Sequence, residues 1–190
     1  MTRPTDPQLA TWHDQLESLD REVRQLTGDL SPSQMQWRPG PGKWSIAECL
    51  EHLAITARLG AAHWVPAISA ARRRGKTGTG PFSFGWFGRW FVGWVGPNPK
   101  RPSPAPAVFA PPASISPGRA IADFTDSQSE IRAIFRSADG LDLGRIKARS
   151  AVTPLFRFNL ATWFASTVAH QHRHLDQMRR VRTDDHFPKI

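Results

Sequence analysis

Apolar residues recur along the N-terminal segment at intervals of three and four, the spacing that gives a helix a single apolar face. The members of this stripe are Leu9, Trp12, Leu16, Leu19, Val23 and Leu26. Gly28 follows directly and is a favourable residue at the end of a helix. Residues 31–44 then hold three prolines and two glycines, so the pattern predicts an amphipathic helix followed by a loop.

A second helix is marked by a capping signal, in which Ser45 is followed three residues later by Glu48. The Ser45 side chain can accept a hydrogen bond from the Glu48 amide while the Glu48 side chain reaches back to the Ser45 backbone. We expect this helix over about residues 46–74, with Pro66 kinking it or ending its first part. Its inward positions are Leu50, Leu53, Ala57, Ala61 and Trp64.

Residues 75–115 are rich in glycine and proline and interrupt the helical pattern. They also carry a run of aromatic residues, Phe82, Phe84, Trp86, Phe87, Trp90, Phe91 and Trp94. A connection of this length inside a compact domain is usually functional or mobile. The run has three interpretations: a lid over a site, a contact in a homodimer, or a peripheral membrane contact through residues 82–94. We favour the lid and the dimer contact over the membrane.

Two further helices complete the pattern. Ser116 and Pro117 form an N-cap followed by proline at the first helical position, and Gly140 ends the periodic segment that follows. The last helix begins near Asn159 and continues to about Val181. Because no convincing strand alternation occurs, the sequence predicts an all-α fold with one domain over residues 1–190. This fold is a four-helix bundle with a long crossover, the inserted loop at about 75–115, between its second and third helices.

The charge and the cysteine content limit the binding partners and the cellular location that we expect. Lys and Arg number 25 against 16 Asp and Glu, and the formal net charge of +9 favours an anionic substrate, membrane surface or nucleic acid. The cations are dispersed, which disfavours nucleic acid. Cys49 is the only cysteine, so an intramolecular disulfide is excluded, a cytoplasmic location is favoured, and Cys49 is expected to be a small buried residue. We find no signal peptide and no apolar run long enough for a membrane span.

His170 and His174 are the most informative pair of residues. At about 100° per residue, four residues separate their side chains by only about 40° around a helix. Trp163 and Thr167 lie seven residues before them, so both histidines face the core, where imidazoles need polar partners. A shared divalent metal ion would satisfy both rings. The alternative is a pair of hydrogen-bonded core histidines.

A third ligand has two candidates on the second helix, His52 and His63, and their spacing does not choose between them. Three histidines would leave coordination positions open for water or substrate, which is the pattern of a catalytic site rather than a structural one. Gln171 occupies the position where the HExxH motif of metalloproteases has its general base. A metalloprotease is therefore disfavoured.

Two segments resemble signatures of the DinB-like superfamily of metal-binding four-helix proteins, which includes thiol-dependent S-transferases and maleylpyruvate isomerase-like enzymes. They are PGKWSIAECLEHL at residues 41–53 and AHQHRHLDQ at residues 169–177. The resemblance covers about residues 8–182. It implies one divalent ion, nickel or zinc foremost and iron or manganese otherwise, held by His52, His170 and His174. It also implies a low-molecular-weight thiol cosubstrate that the open site activates as thiolate.

These observations predict a metal-dependent transferase that uses such a thiol, or a hydrolase, acting on a small anionic or electrophilic substrate. The alternative is a non-catalytic metal or small-ligand binding module of the stress response. Glu48, Gln177 and His63 are candidates for contacts around the metal or the substrate, although capping is the favoured role of Glu48. We expect Trp44 to cover the end of the bundle, and His13 and His172 to face solvent.

Overall fold

The computed structural model describes residues 3–97, 104–153 and 155–189. Its elements are, in chain order, α1 (Pro7–Thr27), α2 (Pro32–Gln36), α3 (Ile46–Arg73), α4 (Gly85–Val95), a 3-10 turn (Ala107–Phe109), α5 (Pro117–Ser137), β1 (Lys147–Arg149), β2 (Arg157–Asn159) and α6 (Leu160–Arg182). Helices α1 and α3 each pack against both α5 and α6. The all-α class and the four-helix bundle are therefore confirmed.

The predicted helix starts are present. The Ser45 hydroxyl accepts a hydrogen bond of 3.2 Å from the Glu48 amide, and the Glu48 carboxylate accepts one of 2.9 Å from the Ser45 amide. Ser116 caps α5 and Asn159 caps α6 through side-chain oxygens that accept backbone hydrogen bonds of 3.3 Å and 2.9 Å. Each cap satisfies amides that an isolated helix end would leave without a partner.

The sequence allows two outcomes at Pro66, a kink in the helix or its end. The second is wrong, because α3 continues through Pro66 to Arg73. Proline removes one helical hydrogen bond, which leaves the carbonyl of Ala62 without its usual donor. Ala62 and Pro66 are both exposed, so water can reach that carbonyl. The helix therefore continues and carries its apolar face across the whole bundle.

The core lies between the four long helices. Phe135 of α5 and Phe164 of α6 are fully buried and stack with their ring centroids 4.1 Å apart. Cys49 is fully buried, as predicted, and burial raises the pKa of its thiol. A buried neutral thiol is a packing residue rather than a nucleophile.

The structure corrects three local predictions. The expected loop at 31–44 contains α2, which has its own capping box between Ser31 and Gln34. A short antiparallel pair, β1 with β2, precedes α6 where no strand was expected, because three residues are too few for alternation to show. His13 is buried rather than solvent-facing. It follows Leu9 by four residues and precedes Leu16 by three, so it belongs to the buried stripe of α1.

The segment between α3 and α5 holds a further helix, α4, which was predicted only as part of a loop. α4 packs on the N-terminal half of α6, and Gly88 permits the close approach because a Cβ there would lie 2.7 Å from the Thr162 hydroxyl. Phe91 meets Trp163 edge-on with the ring centroids 5.6 Å apart. Among the helices of the described ranges, none combines the length and hydropathy that a membrane span requires.

Candidate metal centre

Three histidine side chains from two neighbouring helices converge near the N-terminal end of α3. His52 comes from α3, while His170 and His174 stand one turn apart on α6. Their candidate ligand nitrogens all lie within 4.8 Å of one another. Nε2 of His170 lies 3.3 Å from Nε2 of His52 and 3.1 Å from Nε2 of His174. The structure thus brings together the three residues that the sequence singled out.

A backbone carbonyl fixes the orientation of the His52 ring. Nδ1 of His52 lies 2.7 Å from the carbonyl oxygen of Phe109, in the 3-10 turn. The carbonyl can only accept, so Nδ1 carries the proton and the neutral ring has its lone pair on Nε2. That lone pair points toward the other two histidines. Metal-binding histidines commonly have this kind of support from the ring nitrogen that does not ligate.

Burial keeps the three rings neutral. It lowers the pKa of His170 to about 3 and also lowers the pKa of His52 and of His174 below the usual histidine value. The positive charge of Arg173 acts in the same direction on all three pKa values. A neutral imidazole is the form that ligates a metal ion, so no proton must leave before an ion binds at neutral pH.

The cluster has the spacing and lone pairs that one cation would use. Ligands about 2.05 Å from a tetrahedral ion lie roughly 3.3 Å from each other, close to the two measured separations of 3.3 Å and 3.1 Å. With the His52 lone pair on Nε2, one proton on His170 cannot be directed at both neighbours. At most one of the two contacts is therefore a well-formed hydrogen bond, whereas one ion would satisfy all three nitrogens. The donor set fits a divalent metal.

Trp44 covers the cluster, in agreement with its expected place over the end of the bundle. Its ring centroid lies 4.7 Å from that of His52 and 6.0 Å from that of His174. Nδ1 of His174 is buried and has no hydrogen-bond partner among the described residues. The indole thus limits the access of water to the histidines on this side, while the orphaned nitrogen leaves one polar group of the cluster unsatisfied.

The other candidate site residues differ in how close they lie to the histidine cluster. Glu48 remains in its capping box and forms an ion pair with Arg38 at 2.5 Å, so its carboxylate is engaged away from His52. Gln177 is near enough to oppose the lowering of the His174 pKa. His63 is half-buried and is not a member of the histidine cluster in the described part of the chain. His172 is half-buried, rather than fully solvent-facing as expected.

A cavity of about 120 Å³ opens beside His170. Its walls are mostly apolar, and the largest of these side chains are Leu53, Trp64, Phe91, Phe109, Ile131 and Trp163. The described residues that line it include one charged group, Arg149 at the end of β1, and no carboxylate. Gln171 also lines the cavity, and its buried Oε1 has no hydrogen-bond partner among the described residues.

The contribution of the insert and of the strand pair to the cavity was not predicted from the sequence. Phe91 and Val95 come from the inner face of α4, and Arg149 comes from β1. Aromatic residues in the insert were a visible signal, but their periodicity could not show which of them would face the histidines. Nothing in the sequence marked the Phe109 carbonyl, because every residue has a backbone carbonyl and only the fold selects one.

A comparison with protein families identifies the family of this chain. The family model for the DinB superfamily matches residues 15–178, which is most of the chain. The chain belongs to the DinB superfamily. The two DinB-like segments read from the sequence are the ones that carry His52 on α3 and His170 with His174 on α6, and the fold places them side by side.

A solved structure of another protein has the same overall fold. It is YfiT from Bacillus subtilis, described as a probable metal-dependent hydrolase with an unusual four-helix bundle topology. The likeness has a TM-score of 0.59 at 14% identity and covers 92% of this chain and 85% of YfiT. At that identity the likeness establishes the fold alone. A comparison with curated protein sequences gave no match.

Proposed function

We propose that this protein is a metal-dependent enzyme in which His52, His170 and His174 hold one divalent ion that activates a nucleophile. The observation that carries the proposal is the convergence of three neutral ring nitrogens, with two separations of 3.3 Å and 3.1 Å. The DinB membership and the description of YfiT as a probable metal-dependent hydrolase support it. Nickel or zinc suits three imidazole ligands best, with iron or manganese as alternatives.

The preferred nucleophile is a low-molecular-weight thiol, and the preferred activity is transfer of that thiol to an electrophile. A bound divalent ion lowers the pKa of a coordinating thiol or water. In the overall reaction, a new bond between the thiol sulfur and the electrophilic carbon would replace the bond from that carbon to its leaving group, and the thiol proton would pass to the leaving group or to water. No carboxylate lines the cavity among the described residues, so no side chain there can serve as the carboxylate base that metalloproteases use on water.

The remaining chain groups position and select the substrate. The apolar cavity beside His170 excludes water from the reacting atoms and holds an organic substrate of modest size. Arg149 lines the cavity and Arg173 lies close enough to lower the histidine pKa values. These two guanidinium groups attract an anionic substrate, and the Phe109 carbonyl holds the His52 ring in place.

Elemental analysis of purified protein tests the metal assignment. We expect one equivalent of a divalent metal in the wild type and a loss of most of it in His174→Ala. His172→Ala is the matched control, because the same residue type is removed from the same helix two positions away. Stoichiometric metal in His174→Ala would contradict the ligand assignment.

Turnover assays then test the nucleophile. The metal-loaded protein is assayed with cysteine or glutathione and the electrophile monochlorobimane, and separately with 4-nitrophenyl acetate and water alone. We expect thiol-dependent turnover that is lost in His174→Ala and kept in His172→Ala. Turnover with water alone would favour a hydrolase. Stoichiometric metal without any turnover would favour the non-catalytic binding module, which the absence of a carboxylate base in the described cavity lining keeps as the second candidate.

A further inference from the structure

The outer face of α4 and the tip of the β1–β2 hairpin expose large apolar side chains that neither the bundle nor the cavity uses. We call this set the aromatic surface; it consists of Trp86, Phe87, Trp90, Trp94, Leu155 and Phe156. Trp86 is 76% exposed and Leu155 is 91% exposed. Single exposed apolar residues are normal on a protein, but a continuous patch of this kind marks an interaction site.

Ring contacts join the two parts of the aromatic surface. Phe87 stacks on Trp90 with centroids 5.3 Å apart, and Trp90 stacks on Trp94 at 6.0 Å. Phe87 also lies 6.3 Å from Phe156 of the hairpin. The opposite face of α4 is occupied, since Gly88 packs on α6 and Phe91 lines the cavity. α4 therefore has one face that packs on the fold and another that, among the described residues, contacts only the hairpin.

The charged residues of α4 and of the β1–β2 hairpin have one sign. Arg89 on α4, and Lys147, Arg149 and Arg157 on the hairpin, are exposed and form no ion pair within the ranges that the structure describes. The sequence contains no Asp or Glu from residue 52 to 122, nor from 143 to 175. α4 and the hairpin both lie within these two acid-free stretches. An apolar patch whose own helix and hairpin carry cations and no acidic residue is complementary to an anionic interface.

We propose that the aromatic surface docks peripherally onto a membrane rich in anionic lipid. Trp side chains favour the headgroup region of a bilayer, and the exposed Leu155 and Phe156 at the hairpin tip can enter the outer acyl region. The hairpin and α4 cations then meet anionic headgroups, each adding a modest attraction. Helix α4 lies along the membrane plane, with its cavity-lining face turned away from the lipid.

A second copy of the chain fits the aromatic surface less well. A two-fold contact would bring the same patch of each copy together, so the cations Arg89, Lys147 and Arg157 of one copy would face the same set of cations on the other. Like charges facing each other at an interface cost free energy and disfavour the pairing. An anionic bilayer neutralises the same cations.

Single-stranded nucleic acid also fits less well, although it too is anionic and stacks on aromatic rings. Phe87 and Trp94 are both nearly parallel to Trp90, at 7° each. The faces of Trp90 are thus turned toward its neighbours rather than toward a base. Leu155, the most exposed large apolar residue of the surface, offers no ring for stacking.

Vesicle co-sedimentation of the full-length, metal-loaded protein tests the proposal. The vesicles contain phosphatidylcholine alone or phosphatidylcholine mixed with phosphatidylglycerol. We expect binding to the mixed vesicles that is at least about tenfold stronger than to the neutral ones and that weakens with added salt. Equal binding to both vesicle types, or no binding to either, would overturn the proposal.

Two pairs of double variants locate the binding. Trp86→Ser/Leu155→Ser should lose on the order of tenfold or more in vesicle affinity, whereas Val65→Ser/Ile121→Ser, exposed apolar residues outside the aromatic surface, should keep it. Lys147→Glu/Arg157→Glu should also lose binding, whereas Arg21→Glu/Arg180→Glu makes the same change in net charge on exposed residues of α1 and α6 and should keep most of it. Equal losses within either pair would overturn the proposal. Circular dichroism and metal content confirm that each variant is folded.

Two further measurements separate the other occupants of the surface. If light scattering shows a dimer in solution that Trp86→Ser/Leu155→Ser converts to monomer, the surface is a contact between copies and the proposal is wrong. The same holds if a single-stranded oligonucleotide displaces the protein from vesicles and its binding is lost in Trp86→Ser/Leu155→Ser. A monomer that oligonucleotide does not displace supports the membrane assignment.

Discussion

The histidine cluster and the aromatic surface are opposites. One places three polar rings in the interior, where His52 and His174 are only 3% and 5% exposed. The other leaves large apolar rings in water on the outside of α4. The Phe109 carbonyl and the inner face of α4 contribute to the cluster or its cavity, so the insert between α3 and α5 takes part in both.

In most proteins polar groups are exposed and large apolar groups are buried, and both regions reverse this distribution. Each reversal indicates a binding partner that is absent from the structure. A buried polar atom without a hydrogen bond costs roughly 1–3 kcal/mol, and an exposed apolar surface forgoes about 25 cal/mol for each Å² left in water. A divalent ion would remove the first cost at the Nε2 atoms that it binds, although Nδ1 of His174 would still have no partner among the described residues. A lipid surface would remove the second by covering the rings.

The largest expected effect is a difference in protein stability between two alanine variants, one of a buried and one of an exposed aromatic residue. Phe164→Ala should lower the free energy of unfolding by about 3–5 kcal/mol, because it leaves a cavity where Phe164 stacks on Phe135. Trp86→Ala should change it by no more than about 0.5 kcal/mol, since the side chain is 76% exposed. Urea unfolding measures both. A large loss of unfolding free energy in Trp86→Ala would mean that the aromatic surface is part of the core, and it would contradict the distinction between the two regions.

The second expected effect is a loss of stability of the metal-free protein in mild acid. Burial lowers the pKa of His170 to about 3 in the folded state, while the unfolded chain takes up the proton near pH 6.5. Stability contributed by the neutral ring is therefore complete above about pH 6.5 and is lost as the pH falls below it. At about pH 5 the loss from His170 alone is about 2 kcal/mol.

Urea unfolding at about pH 7.5 and about pH 5 measures that loss, and His170→Ala should show a smaller difference between the two conditions. The same slope in both proteins would mean that the ring is hydrated in the folded state. Because His170 is neutral in the folded state at both pH values, added metal should raise the free energy of unfolding at both and leave the difference between them nearly unchanged.

The smallest expected effect compares two serine caps. Ser45→Ala and Ser116→Ala should each lower the free energy of unfolding by about 1 kcal/mol, because each removes an N-cap. Only Ser45→Ala should also weaken metal binding, since it loosens the start of α3, where Trp44 covers His52. Metal titration of both variants checks this difference. Equal metal affinities would mean that packing, and not the Ser45 cap, holds Trp44 over His52.

The features that could be predicted from the sequence are those that depend on short-range order. The stripe of α1 and the caps Ser45, Ser116 and Asn159 define helices within a few residues of their observed bounds. The helix period also puts His170 and His174 on one side of α6. The sequence predicts a loop at residues 85–95 because they hold three glycines within a segment rich in glycine and proline.

The sequence by itself determined the number and start of the long helices, the i, i+4 histidine pair on α6, and the excess of cations around the insert. Choosing His52 over His63 required a resemblance to other proteins, because both stand on α3 and helical spacing treats them alike. Only the tertiary structure decided that the Phe109 carbonyl orients His52, that Arg149 reaches the cavity, and which face of α4 is left uncovered. The physical reason is distance along the chain. Periodicity and capping act within a few residues, whereas His52 and Phe109 are 57 positions apart and Arg149 reaches the cavity from a separate element, so packing selects these contacts.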